Sequence, residues 1–484
     1  MRLARWLFLR GLGVVVLVAV GSLWTQLSGL IGAQGVWPAA EQMKQLHAAA
    51  GLSFFDVPTL AWLSASDGFL HALAASCMVL GALLVAGLAP RLVLALLWLC
   101  WMSLVHVGGP FLSFQWDVLL IETLFFSIFF APAGWRPRLA TEAEPPAWSR
   151  FILQFLAFKL TFSSGVVKLA SGDPSWRDLT ALSYHYWTQP LPTWTSTILN
   201  ELPMFAHQLA CLAMFVCELP IAALALGNRP MRLIAAAGLF TLQAGLAAAG
   251  NYSCFNLLSV VLCLPLLDDA ALRAFAPRWK WPPLAPSGPL GNPWLKRAGL
   301  GLAVFYVASS VSFFFRGADG FAAPIRAVLN AIYPFSTINR FGAFAVMTKS
   351  RPEIIVEGSH DAQTWTPWEF KYKAGRLDRR PGFIAPLQPR LDWQMWFAAL
   401  GDCSNNPWLL SLQWKLLQGS ASVRGLLQTD PFGAAPPKFI RTTMWSYRFA
   451  PFEQTGTWWV RESPRPYCPV VTLDAQGQLI GAQP

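Results

Sequence analysis

Charged residues are scarce in this sequence. Asp, Glu, Lys and Arg account for 13% of the 484 residues, whereas hydrophobic residues account for 55%. A soluble globular protein carries about 25% charged residues, because its surface has to be hydrated. The shortage of charge therefore excludes an ordinary soluble protein, and the sequence predicts a polytopic α-helical membrane protein.

Catalytic and metal-binding signatures are missing as well. The sequence has no GxSxG elbow, Walker loop, GxGxxG or HExxH motif, and its eight cysteines lack CxxC or Cys/His metal spacing. We therefore expect no metal site and no cofactor. Cys403 and Cys468 lie in the polar C-terminal region, where a disulfide can form if that region faces an oxidising compartment.

Basic residues are in excess, with a formal net charge of +11, but they are not concentrated. A nucleic-acid-binding protein gathers Lys and Arg into a patch or stripe. Here they are scattered through the short segments between apolar runs. We interpret them as determinants of membrane orientation and expect no nucleic-acid partner.

About nine apolar runs are long enough, or nearly so, to cross a bilayer. The first ends at Leu30 and follows Arg2, Arg5 and Arg10 without a small-x-small cleavage site, so we interpret it as a retained span. The others lie at about 68–88, 91–108, 117–133, 151–171, 203–226, 231–249, 252–268 and 297–316. These runs predict a transmembrane bundle over residues 1–318.

Lys and Arg fall on alternate loops between these runs. Arg91 and Arg136 are examples from the basic loops, whereas the opposite loops hold acidic residues such as Asp56 and Asp173. The positive-inside rule places the basic loops in the cytoplasm. With an odd number of spans, the C-terminal region is then expected on the non-cytoplasmic side.

From about residue 320 onward, charges become frequent and no apolar span remains. Residues 353–357 alternate like a strand, 358–361 supply turn residues, and 365–372 resemble a second strand. The sequence therefore predicts a separate, mainly β soluble domain, sandwich-like, over residues 319–484.

A few ionisable residues lie inside the apolar runs. Charges in a span are costly and usually face a bundle interior or a wet cavity, so each is a functional candidate. They are Asp117, Glu122, Lys159, Lys168 and Glu218.

Two interpretations of the lysines stay open. In one, Lys159 pairs with Glu122 or Glu218 and stabilises the bundle, while Lys168 extends to the interface. In the other, Lys168 is partly desolvated and acts as a base, or as an anchor for an anionic group. His185 is either a proton carrier or a hydrogen-bonded structural residue.

The basic stretch of the C-terminal region is a second candidate site. It is either a solvated face near anionic headgroups or a surface that binds a partner. Within it, a helical spacing puts two tryptophans on one face beside an arginine and an aspartate, an arrangement suited to gripping a membrane or a client protein. The candidate client-binding residues are Arg379, Arg380, Arg390, Asp392, Trp393 and Trp396.

Along nearly its whole length the chain resembles the lipase maturation factor family. The matching blocks are residues 22–38, 111–132, 162–192, 250–269, 338–370 and 379–400. The resemblance implies a polytopic protein of the endoplasmic reticulum membrane, whose animal members help newly made dimeric lipases reach an active fold. It also associates the C-terminal domain with client binding.

A shorter string is similar to the membrane domain of vitamin K-dependent carboxylases. Residues 164–169 (SGVVKL), with Trp176 downstream, match a Gly-x-x-Lys-Leu…Trp pattern. In those enzymes the lysine assists deprotonation of the reduced quinone, so the resemblance implies that role for Lys168. The enzymes' neighbouring histidine has no secure equivalent, because residues 115–117 (QWD) occupy its approximate position.

The sequence therefore favours a membrane-bound maturation or folding factor over an enzyme. Its expected partners are the bilayer and a secreted, lipase-like client. The alternative is a quinone-dependent membrane enzyme with Lys168 as base and Glu122, Asp117 or His185 nearby. A transporter is less favoured, because in-span charges are too few for a polar path. The expected location is the endoplasmic reticulum membrane by resemblance, or the plasma (inner) membrane if the source is bacterial.

Overall fold

The computed structural model describes residues 1–49, 51–278, 281, 283–284, 293–315, 323–451 and 456–482. The N-terminal part is helical. Its α-helices are α1 (Arg2–Trp24), α2 (Leu27–Ile31), α3 (Ala39–Ala48), α4 (Asp67–Ala86), α5 (Pro90–Val107), α6 (Gln115–Phe130), α7 (Ala147–Ala170), α8 (Pro174–Arg177), α9 (Ala181–Thr188), α10 (Trp194–Asn200), α11 (Met204–Val216), α12 (Arg229–Ala249), α13 (Phe255–Cys263), α14 (Asp269–Phe275), α15 (Pro293–Phe315) and α16 (Ala323–Ile332).

In the described part of the chain, seven helices are long and apolar enough to cross a membrane, which confirms a polytopic helical membrane protein. The count rises to eight if the bent pair Phe255–Leu266 and Asp269–Phe275 forms one span. The remaining run of the nine forms α6, which has only 16 residues. A straight span needs about 20. The difference from the expected count thus lies in one short helix and one bent pair.

Helix α7 is central to the bundle and positions the site. It packs against α6, α13, α15 and the segment that follows α11. Gly172, at φ +80°, turns the chain beyond its C-terminal end. Asp173 then caps α8, with its side chain accepting a hydrogen bond from the backbone N–H of Ser175. This cap fixes the start of the polar segment that ends in α9.

The C-terminal part is built on one antiparallel sheet of five strands in the order β2-β1-β3-β4-β5. The strands are β1 (Arg351–Ser359), β2 (Thr366–Pro367), β3 (Phe439–Phe449), β4 (Trp459–Leu473) and β5 (Leu479–Gly481). Three helices lie between β2 and β3: α17 (Arg390–Ala399), α18 (Pro407–Leu417) and α19 (Ala421–Arg424). A mainly β C-terminal domain is confirmed. Among the described residues, α17 and α18 pack on the sheet where a sandwich would have a second sheet.

A disulfide joins Cys403 to Cys468 and so ties the segment before α18 to β4. The pairing considered from the sequence is therefore present. The expected boundary between residues 318 and 319 lies outside the described residues.

The two parts of the chain share a buried interface. The Arg351 guanidinium donates hydrogen bonds to the carbonyl oxygens of Trp187 at 2.9 Å and Pro190 at 3.0 Å. The Asn251 amide donates to the carbonyl of Gly382 at 2.8 Å, and its side-chain oxygen accepts from the N–H of Ile384 at 2.7 Å. These contacts seat the sheet domain directly on the membrane bundle.

Candidate functional site

A cavity of about 590 Å³ lies where the bundle meets the C-terminal part. Its walls come from α6, α7, α9, α11, α12 and α17 and from the chain before β1. Most of the lining is aromatic or aliphatic, with a few polar side chains among them. Size and lining are typical of sites that bind small molecules. The polar lining residues used below are Lys168, His185, Glu218, Gln243 and Tyr252.

Lys168 and Glu218 form a buried ion pair in this cavity. Lys168 Nζ lies 2.6 Å from Glu218 Oε1. It also lies 5.4 Å from the ring centroid of Trp176, within cation–π range. The lysine that the sequence singled out is therefore held between a carboxylate and an indole, and does not extend to the interface.

Glycine at position 165 lets the two partners approach each other. A Cβ there would lie 2.8 Å from Leu219 Cδ2 and 3.1 Å from Glu218 Cβ. Residues 165 and 168 are three apart and so share one face of α7. The Gly-x-x-Lys spacing thus has a structural reason: the glycine admits the helix that carries the carboxylate.

Glu218 belongs to a π-helical turn, Cys217–Ile221, that continues α11 and contains Pro220. Proline lacks the backbone N–H that an α-helix needs, and π turns are often found at functional sites. Sequence reasoning named Glu218 as an in-span charge but did not include it in the candidate site. The proline two residues later was the available signal.

His185 is part of a short hydrogen-bonded chain in the cavity wall. The Tyr252 hydroxyl donates to Gln189 Oε1 at 2.9 Å, and its oxygen lies 2.6 Å from His185 Nε2. Because that hydroxyl proton is used, Nε2 is the donor to Tyr252. Burial, with the charge of Lys168 nearby, lowers the pKa of His185 to about 4. This neutral, hydrogen-bonded histidine fits the structural interpretation.

Asp117 lies under the C-terminal domain and pairs with Arg390. The guanidinium reaches Asp117 Oδ1 at 2.8 Å and Oδ2 at 2.9 Å, and donates to the carbonyl of Phe111 at 2.6 Å. Both side chains are buried. The arginine expected at a client surface and the aspartate expected near Lys168 instead bind each other and join α17 to α6.

Glu122 binds Lys159, which confirms one of the two pairings considered from the sequence. Its carboxylate also accepts hydrogen bonds from the Tyr306 hydroxyl at 2.6 Å and from the Asn339 amide at 2.9 Å. Neither Glu122 nor Lys159 lines the cavity. Of the candidate catalytic set, the structure therefore brings only Lys168 and His185 together.

Four of the six candidate client-binding residues are buried inside the chain. Trp393 and Trp396 form the cavity wall from α17, and the Trp396 indole donates to the carbonyl of Thr188 at 2.8 Å. Asp392 accepts from the N–H groups of Tyr372 and Lys373, and burial raises its pKa. With Arg390, these side chains form internal contacts, because α17 packs its tryptophan face against the bundle.

Arg379 and Arg380 have a different setting. Arg379 is half-buried and donates to the carbonyl of Phe370 at 2.5 Å. Arg380 is exposed and lies 5.0 Å from the ring centroid of Trp194 and 5.5 Å from that of Trp458. These two arginines are the part of the candidate surface that solvent or a partner reaches.

Known proteins match the chain in both of its parts. The lipase maturation factor transmembrane domain matches residues 3–274, and the lipase maturation factor C-terminal domain matches residues 337–469. Lipase maturation factor 2 of Homo sapiens is 33% identical over 98% of this chain and 83% of the relative. Lipase maturation factor 1 of Bos taurus is 32% identical over 99% of this chain and 91% of the relative.

No solved structure matches the chain. The sequence matches nevertheless cover the span-containing bundle as well as the sheet domain that rests on it. This integral membrane protein therefore belongs to the lipase maturation factor family.

Proposed function

We propose that this protein is a membrane-bound maturation factor that helps secreted lipases reach their active fold. The observation that carries the proposal is the match to lipase maturation factors 1 and 2 over 98–99% of the chain. The quinone-dependent alternative is not favoured, because the relatives are named for lipase maturation. In addition, Asp117 and Glu122 are engaged in other ion pairs.

The division of labour follows from how the two parts are joined. The bundle is the platform, and the sheet domain is fixed on it through the buried Asp117–Arg390 pair. Removing one partner of such a pair costs about 3–5 kcal/mol, because an uncompensated charge stays buried. A client held by the sheet domain is therefore presented at a fixed height above the membrane.

Client contact is proposed for the exposed part of the basic stretch. The same stretch of sequence as Arg380 also carries large exposed side chains, Tyr372, Phe383 and Leu387. Arginine and aromatic residues are over-represented among the residues that dominate binding energy at protein interfaces. This surface, Arg379 and Arg380 with those three residues, replaces the buried tryptophan face as the candidate site.

The endoplasmic reticulum membrane, with the C-terminal domain on the luminal side, is the proposed location. The Cys403–Cys468 disulfide supports it, since disulfides persist in oxidising compartments and are rare in the cytosol. The alternation of basic and acidic loops supports the same orientation.

The test is a secretion assay in cells that lack lipase maturation factors. A secreted dimeric lipase is expressed with and without this protein, then purified and assayed for activity per milligram and for intact mass. We expect higher specific activity at unchanged mass. Unchanged specific activity would contradict the proposal, and a changed mass would indicate chemical modification of the client instead.

The client surface is tested in the same assay. Arg380→Glu reverses the exposed charge and is expected to lower lipase specific activity several-fold at an unchanged level of the maturation factor. Lys438→Glu is the matched control. Lys438 is also exposed but lies just before the first residue of β3, whereas Arg380 lies against Trp458, next to the residue that pairs with the last residue of β3. Equal effects of both variants would remove the assignment of this surface.

A further inference from the structure

The cavity offers a binding site that lipase maturation does not by itself require. Its volume, about 590 Å³, falls in the range of roughly 300–1,000 Å³ found for small-molecule sites. The aromatic lining includes Phe255, Phe344, Trp393 and Phe397, and the only ion pair among the lining residues is Lys168–Glu218. One charged pair in a chamber lined mostly by apolar side chains, with a few neutral polar ones, matches an amphiphile with a small head group.

The charged pair keeps unused hydrogen-bonding capacity. Glu218 Oε2 has no hydrogen-bond partner among the described residues, and Glu218 Oε1 takes only one of the three N–H groups of Lys168. Rotation about the terminal bond of a glutamate exchanges its two oxygens at little cost. A ligand head that both donates and accepts, as a hydroxyl group does, satisfies both partners.

Charge balance selects a neutral head. The ammonium of Lys168 is already matched by the carboxylate at 2.6 Å. A fatty-acid carboxylate would compete with Glu218 for the lysine and be repelled by it, since like charges in a poorly solvated site interact strongly. The pair therefore favours hydroxyl groups over an anionic head.

The other end of a ligand meets apolar walls next to the bilayer. Met214 on α11 and Leu242 and Leu246 on α12 line the cavity. Their two helices are among the least buried of the spans: 33% and 22% of the residues in their most apolar stretch are buried inside the protein. In the wall opposite the bundle, the Trp393 indole N–H has no acceptor among the described residues. An ester carbonyl would supply one.

We propose that this cavity binds a neutral, single-chain glycerolipid taken from the bilayer. The glycerol hydroxyls contact Lys168 and Glu218, and the acyl chain lies along the aromatic wall that α17 completes. The volume holds one acyl chain with a small head, but not a two-chain phospholipid. The proposal rests on the cavity alone and stands or falls separately from lipase maturation.

The experiment uses the full-length protein in phosphatidylcholine nanodiscs. The probe is a monoacylglycerol that carries a photoreactive diazirine and an alkyne tag in its chain. After irradiation we expect peptides with lining residues to be labelled, and excess monoolein to suppress the labelling. Labelling that monoolein does not suppress, or that maps to the lipid-facing surface alone, would overturn the proposal.

A space-filling variant tests the cavity while both members of the ion pair are retained. Ser164→Trp places an indole in the cavity and is expected to reduce monoolein-sensitive labelling at least tenfold. Thr241→Trp, on an exposed position of α12, is the matched control and should label like the unmodified protein. Both must elute as single species on size exclusion. Equal labelling of the two variants would contradict the site.

The head group is tested by competition. Monoolein should suppress labelling at a concentration at least tenfold lower than oleic acid or dioleoylphosphatidylcholine. The double variant Lys168→Met with Glu218→Leu, which leaves no buried charge, should lose this preference. Stronger competition by oleic acid would refute the neutral head, and equal competition by the phospholipid would refute the single chain.

Discussion

Helix α7 carries two lysines nine positions apart, and their surroundings differ. Lys159 meets a carboxylate that also binds a tyrosine hydroxyl and an asparagine amide, and neither member of this pair lines the cavity. Lys168 meets a carboxylate of which one oxygen has no hydrogen-bond partner among the described residues, beside about 590 Å³ of space. Nine residues make about two and a half turns, so the two lysines face opposite sides of the helix.

The difference teaches how to interpret a charge within a membrane helix. Both lysines satisfy the rule that such charges are paired and face the protein interior. The completeness of the surrounding hydrogen bonds and the presence of a neighbouring cavity separate them. A fully satisfied pair holds helices together, whereas a partly satisfied pair next to space is available to a ligand.

The largest expected effect comes from breaking the satisfied pair. Glu122→Ala leaves the buried Lys159 ammonium without its carboxylate partner and the Tyr306 hydroxyl without its acceptor. We therefore expect a loss of about 3–5 kcal/mol in the free energy of unfolding. Steric-trapping measurements in bicelles would show it. The paired change Lys159→Met with Glu122→Leu should cost less, because no charge stays buried alone. Equal losses would mean that the two side chains do not depend on each other.

The cavity pair should tolerate the same treatment better. Glu218→Ala leaves the Lys168 ammonium without its carboxylate partner, but water entering the enlarged cavity can solvate it. We therefore expect a loss of about 1–3 kcal/mol in the free energy of unfolding. The same unfolding measurement applies. A loss as large as that of Glu122→Ala would show that the cavity does not relieve the stranded charge, and the contrast between the two pairs would fail.

A smaller, pH-dependent effect is expected from His185 in the cavity wall. Its folded pKa, about 4, lies below its ordinary value of about 6.5. The unfolded chain therefore binds the proton first, and stability should fall as pH drops from about 6.5 toward 4. Thermal melts across this range should show the decrease. In His185→Gln the decrease should be shallower, and an unchanged slope would place its cause elsewhere.

The smallest effect is expected at an ion pair in water. Arg376 and Asp378 lie 2.5 Å apart, with side chains that are 65% and 52% exposed. Arg376→Ala should leave the melting temperature unchanged within error, because water replaces the partner of an exposed charge. If the melting temperature of Arg376→Ala fell as far as that of Glu218→Ala in the same melts, pairing alone, and not burial, would decide these energies.

Much of the bundle could be predicted from the sequence, because the cost of burying charge and backbone in lipid leaves few choices. The apolar runs, the charges within them and the strand-like segment that became β1 were all visible. The partner of Lys159 was only narrowed to Glu122 or Glu218, and the Lys168–Glu218 pair was not predicted, since both carboxylates lie far from the lysines in sequence. The inward face of α17 was misjudged: tryptophans and an arginine at helical spacing suit a solvent-facing grip and a buried interface equally.

The sequence by itself determined that the chain enters a membrane, that a polar domain follows, and that the chain resembles lipase maturation factors, because composition and long motifs depend on no distant contact. Tertiary structure decided which carboxylate meets which lysine and whether α17 faces solvent or the bundle. It also decided that a cavity forms at the junction. The physical reason is that pairing and space depend on helix rotation and close approach, which arise only when distant segments pack together.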